Sequence, residues 1–191
     1  MENYAKENGW QWMENPVYET FSTPYMSYSD MMFLKDIEVA VDAYWNSGVF
    51  SHFMNYVLRT RGNWDFFKEL TIWAEKKGAF SDARRETYWF TLMNDYLEEK
   101  NPKDKDILYD LLRYDFIIRG KQGNFPSWYK HIYDKDSHRA LLEENGGVKN
   151  ARLDFAYSEY EVFNYDVDKE DIENYKGKIE KLIRYKAKGK K

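Results

Sequence analysis

From Ser27 to Arg119 apolar side chains recur three and four positions apart, the period of an α-helix with one face on a core. Phe33, Ile37, Ala40 and Tyr44 form the first stripe. Ser27 stands before it as a cap, with Asp30 three residues on to answer the open amides. Asn46-Ser47-Gly48 ends that run on a glycine. A second helix is expected from about Ser51 to Arg59, stopping at Gly62. A third, capped by Asn63, carries Phe66, Leu70 and Trp73 and closes at Gly78. Ser81 is read as the cap of a fourth, with Trp89, Leu92, Met93 and Tyr96 on one face and Asn101-Pro102 as its stop. The fifth runs from about Asp104 to Arg119, with Ile107, Leu111, Tyr114 and Ile118 in register, and ends at Gly120.

The texture changes after Gly120. Lys121 to Pro126 reads as a loop and Asp136 to Glu144 as a short helix ending at Asn145-Gly146-Gly147. Leu153, Phe155 and Tyr157 then alternate with polar residues, and after a phase slip so do Phe163, Tyr165 and Val167; this is strand periodicity with a bulge between the runs. At the end, Ile179, Ile183, Tyr185 and Ala187 fit a strand, while Ile172, Tyr175, Ile179, Leu182 and Ile183 fit a helix nearly as well. Gly177 tips the balance toward the strand. An acidic stretch (Asp154 to Glu173) facing a basic one (Lys176 to Lys191) would support an antiparallel pair. The expected fold is mainly α: a helical bundle of five to six helices, or a solenoid-like array for which no repeat is visible, with a small C-terminal antiparallel β-hairpin.

Three units follow: a leader over residues 1–26, a helical domain over 27–146, and a hairpin appendage over 147–191. The leader lacks helical or strand periodicity and contains Asn15-Pro16 and Thr23-Pro24. Its rings (Trp10, Trp12, Tyr18, Phe21, Tyr25) are too many for a free tail, so it is expected to extend along an upstream domain.

Composition narrows the function classes. In 191 residues, 43% are hydrophobic and 19% aromatic, enough to build a core and to exclude wholesale disorder. A net charge of −4 argues against nucleic-acid binding. The chain has no cysteine, which removes disulfides and thiolate-ligated metals or clusters. Neither a signal peptide nor a bilayer-length apolar run is present, and a cytoplasmic location is expected.

His131, Asp134, Asp136 and His138 are candidate metal ligands, since imidazole and carboxylate suit zinc, iron or manganese. The plainer reading of Asp136 and Ser137 is a helix cap. Asp115 lies on a largely apolar side of the fifth helix. A carboxylate there could be desolvated into an acid catalyst, or simply pair with Arg119 one turn on, which is the favoured use. Trp73, Trp89, Tyr96 and Tyr114 could stack a base or sugar, but at helical spacing aromatic residues usually pack. The C-terminal lysines read as a solvated end, with a phosphate-rich partner as the alternative. No phosphate loop, no HExxH and no ordered triad occurs. No residue is assigned a catalytic or cofactor-binding role.

Three stretches carry a resemblance. The first is Tyr25-Met26-Ser27-Tyr28-Ser29-Asp30 with Leu34-Lys35-Asp36-Ile37-Glu38 and Tyr44-Trp45-Asn46-Ser47-Gly48-Val49-Phe50. The second is Trp64-Asp65-Phe66-Phe67 with Trp73-Ala74-Glu75-Lys76-Lys77-Gly78. The third is Leu112-Arg113-Tyr114-Asp115-Phe116 with Phe125-Pro126-Ser127-Trp128. Together, from about Tyr4 to Tyr185, they resemble the C-terminal domain of unknown function in cobalamin-binding radical S-adenosylmethionine proteins, often labelled Fe-S oxidoreductases. The resemblance implies a parent of oxidoreductase or methyltransferase type, with a cobalamin domain and a barrel holding an iron-sulfur cluster on CxxxCxxC and S-adenosylmethionine. None of those cofactors is expected in this chain. It also favours the strand at the C-terminus.

Three functions therefore compete. One is a non-catalytic accessory domain that braces that barrel or docks a substrate or partner. The second is a free-standing helical protein-interaction module. The third is a small metal-dependent hydrolase built on His131, Asp134, Asp136 and His138.

Overall fold

Ser27 opens the helical body by a reciprocal cap. Its Oγ accepts from the Asp30 amide at 3.2 Å, and its own amide donates to Asp30 Oδ2 at 2.9 Å. The computed structural model describes residues 2–13, 19–119, 125–131, 135–146, 158–167 and 179–184. Among these the order is α1 (Glu2–Glu7), β1 (Gln11–Trp12), β2 (Thr20–Ser22), α2 (Tyr28–Val41), α3 (Ser51–Arg61), α4 (Asn63–Glu75), α5 (Glu86–Lys100), α6 (Lys105–Ile118), α7 (Lys135–Gly146), β3 (Ser158–Phe163) and β4 (Ile179–Arg184). The mainly helical class with a small antiparallel C-terminal pair is the architecture the residue pattern announces.

α2 through α6 pack as a bundle: α2 on α4, α3 on α4 and α6, α5 on α6. Aromatic rings fill the centre. Phe50 meets Tyr44 with centroids 4.8 Å apart and Phe90 at 4.1 Å, and Phe90 meets Phe116 edge-on at 5.1 Å. Trp73, Trp89 and Tyr96 are buried, so the rings read as core stripes are core.

Four details depart from the pattern. Asn63 is the first residue of α4 rather than its cap; Gly62 holds that place at φ 76° and ψ 147°. Ser81 caps nothing. Its hydroxyl donates to the Gly78 carbonyl, Arg84 donates there too, and α5 begins only at Glu86. On α6 the buried face is Leu108, Leu111, Leu112, Asp115 and Phe116, while Ile107 and Tyr114 are half-buried and Ile118 is exposed. The stripe is rotated because a helix wedged between α3 and α5 buries a wider arc than one row. Finally, α2 runs into a π turn, Asp42–Asn46, closed by the Ser47 amide on the Asp42 carbonyl at 3.0 Å.

The leader holds regular structure that its residue pattern does not announce: α1 and an antiparallel β1–β2 ribbon, with β2 resting on α2 and a Lys35–Glu19 ion pair between them. In the C-terminal pair, β3 and β4 run antiparallel with Glu161 opposite Lys181 and Phe163 opposite Ile179. The readings for Leu153, Phe155, Tyr157, Gly120 and Ile172 fall outside the described residues.

Candidate functional site

Asp115 is completely buried, and its chemistry is now explicit. Phe50 begins α3 without a side-chain cap, so the first amides of that helix need an acceptor. Asp115, 62 residues away on α6, supplies it. Oδ2 accepts from the Phe53 amide at 2.8 Å, and Oδ1 accepts from the His52 amide at 3.2 Å and lies 2.7 Å from His52 Nδ1. A carboxylate against a helix N-terminus meets both the free N–H groups and the positive end of the helix dipole. Arg119 does not pair with Asp115 as its spacing suggests; it pairs with Glu86 and ties α5 to α6.

A second buried cluster joins α6 to β3. Arg113 Nη2 donates to Glu161 at 2.5 Å, and Nη1 donates to the Val162 carbonyl at 3.2 Å and to Asp110 at 3.3 Å. Asp110 Oδ2 in turn accepts from the Asn164 amide at 2.6 Å. The guanidinium lies among Phe163, Tyr129 and Tyr109, 5.2 to 5.9 Å from their ring centres. Burial pushes the Asp110 carboxyl above its ordinary range, against the pull of the Asn164 amide and Arg113. No residue of this cluster was singled out as a site from sequence. The available signal was Asp110 and Arg113, two charges one turn apart on an apolar helix.

Of the metal candidates, His131 lies with Nδ1 3.2 Å from Glu161 Oε1 at the edge of that cluster, and its ring meets Phe125. Asp136 is exposed at the start of α7, and His138 is buried further along it. Asp134 lies outside the described residues. Among the described residues no three histidines or acids gather in a way that could hold a metal ion.

What remains open to a partner is apolar surface. Between α2, α3 and α4 a groove of about 370 Å³ is walled by Ile37, Val41, Trp45, Leu58, Trp64 and Phe67. Trp45 and Trp64 stay 45% and 54% exposed at its rim. The π turn accounts for part of this: it sends Tyr44 inward to donate to the Trp89 carbonyl at 3.0 Å and leaves its neighbour Trp45 outside. On the leader, Tyr25 is 93% exposed, and Tyr4 and Trp10 are exposed as well, as is Tyr28 at the start of α2.

The fold and its surface define a helical-bundle domain carrying two small antiparallel sheets, with an aromatic core, a few charged side chains buried against it and several aromatic rings left at the surface. Over residues 6–184 the sequence matches the family described as protein of unknown function (DUF4080), and the chain belongs to that family. No curated protein and no solved structure matches it. Among the described residues no helix is long and apolar enough to cross a membrane.

Proposed function

We propose that this chain is a non-catalytic accessory domain that docks on the barrel of a cobalamin-binding radical S-adenosylmethionine enzyme. The observation that carries the reading is that the buried charged groups are spent on structure while several large aromatic side chains stay exposed. Asp115, Arg113 and Glu161, groups that could serve catalysis, are buried and consumed in joining elements. Trp45, Trp64, Tyr25 and Tyr28, groups suited to an interface, face water.

The resemblance of the Tyr25–Phe50, Trp64–Gly78 and Leu112–Trp128 stretches supplies the parent. A chain without cysteine cannot hold the parent's cluster through thiolates, so the redox chemistry belongs to the neighbouring module and no step of it is assigned here. The apolar groove also suits a free-standing module that takes a separate chain.

The test is co-expression of the tagged chain with the cobalamin-binding radical barrel encoded in the same genome, followed by size-exclusion chromatography. A one-to-one complex is expected, and a CxxxCxxC barrel reading frame adjoining that of this chain would agree with it. Two species eluting separately at micromolar concentrations would remove the docking reading.

A further inference from the structure

The leader is tied to itself more closely than to the bundle. Gly9, at φ 68°, turns α1 back toward β1; its amide donates to the Lys6 carbonyl at 3.3 Å and the Trp10 amide donates to the Ala5 carbonyl at 2.9 Å. The Tyr4 and Trp10 rings meet edge-on at 5.9 Å. In the ribbon the Met13 amide donates to the Glu19 carbonyl at 2.8 Å, and Ser22 Oγ donates to Gln11 Oε1 at 3.2 Å.

The hold on the bundle is lighter. β2 rests on α2, where the Phe21 ring meets Tyr28 edge-on at 6.2 Å and Glu19 pairs with Lys35, both half in water. None of the described leader residues is buried, and on α2 burial begins only at Ile37. Lifting the leader from α2 therefore gives up little apolar burial. Nor does α2 need the leader for its first turn. Ser27 and Asp30 answer the open amides between themselves, so the helix keeps its cap in either case. Between that cap and the ribbon stands the turn Thr23-Pro24-Tyr25-Met26, in which Thr23 and Met26 exchange amide hydrogen bonds of 2.9 and 3.2 Å.

We propose that the leader is a strap: α1 and the β1–β2 ribbon lift from α2 about the Thr23–Met26 turn while the bundle stays folded. The proposal rests on the docking reading above and states which part of the surface moves to meet the partner. Opening is cheap because the closed state is held by a half-exposed ion pair and an edge-on ring contact, and the ion pair is screened by salt. It frees Phe21 and Tyr28, which otherwise face one another. A two-stranded ribbon is marginal without a surface to rest on, so each lifting shows as exchange of the ribbon's amides.

The experiment is native-state amide hydrogen exchange of the intact chain, read by mass spectrometry. Amides of β1 and β2 should exchange about a hundredfold or more faster than those of α3 and α6. Lys35→Ala should quicken leader exchange about two- to fivefold and leave α3 and α6 unchanged, and so should raising the salt to about 0.5 M with the unaltered chain. Leader amides as slow as those of α3 overturn the strap. So does fast leader exchange that responds neither to Lys35→Ala nor to salt, since a closed state on α2 would then be missing.

Binding of the barrel separates the strap from the docking reading. A complex formed by a chain whose leader is as protected as α3 when free keeps the docking reading and removes the strap. A leader that opens as described, in a chain that binds no barrel, keeps the strap and removes the docking reading.

Discussion

Asp115 shows how one buried carboxylate can be wholly occupied by structure. It accepts two amides from the uncapped start of α3 and lies against the His52 ring, so its truncation strands buried N–H groups. Asp115→Ala is expected to cost about 3–5 kcal/mol in urea unfolding, and Asp115→Asn, which keeps an acceptor, about 1–2 kcal/mol. Arg113 is the reciprocal case. Arg113→Met leaves Asp110 and Glu161 buried without their cation and is expected to lose about 3–5 kcal/mol. Adding Glu161→Gln should restore part of that.

Asp110 gives the pH dependence. Its folded value lies above the ordinary carboxylate value, so the folded state binds the proton more tightly than the unfolded chain does. Its contribution to stability is therefore greatest below the unfolded value and is lost as pH rises through the folded one. Measured against Asp110→Asn, which cannot titrate, the stability of the parent chain should fall as pH rises from about 4 upward. A difference that stays flat across that window would contradict the assignment. Apart from the Asp110–Arg113 pair, one turn apart, these partners could not be read from the sequence, because hydrogen bonds across 62 or 48 residues leave no local spacing behind.

Helix starts and stops divide along the same line. The Ser27–Asp30 cap is written within four residues and was legible there. Gly62 and Gly78 were legible as stops, since both sit at positive φ. Gly62 is the sharper case, because φ 76° with ψ 147° is glycine territory while nothing lies within 4 Å of the place a Cβ would take. Gly62→Ala is thus expected to cost about 1–3 kcal/mol through backbone strain alone, read as a lowered urea midpoint at unchanged slope. The start of α5 was not legible. Ser81 has the chemistry of a cap, but its hydroxyl and the Arg84 side chain are both spent on the Gly78 carbonyl, and the loop runs on to Arg85. The π turn escaped as well, since one carbonyl skipping to the fifth residue leaves the apolar spacing of Ile37, Ala40 and Tyr44 intact.

At the scale of the molecule, the helical class of the fold follows from the density of apolar stripes between Ser27 and Arg119, whereas the alternation after Gly120 announces a strand pair without its position: β3 covers Ser158–Phe163, where a bulge was expected, and Tyr165 and Val167 lie beyond its end. The open surface was only half legible. The leader's aromatic residues stood out in a segment without period, whereas the α2–α4 groove depends on how two helices cross. Trp45 and Trp64, which fall off every core stripe, were its one sequence sign. The central claim is that this surface meets a neighbouring catalytic module. Amide hydrogen exchange of the chain, alone and with the cobalamin-binding radical barrel, tests it most directly. The account expects slowed exchange on the leader, α2 and α4, with α6 unchanged; uniform exchange in both states, or protection confined to α7 and the β3–β4 pair, would contradict it.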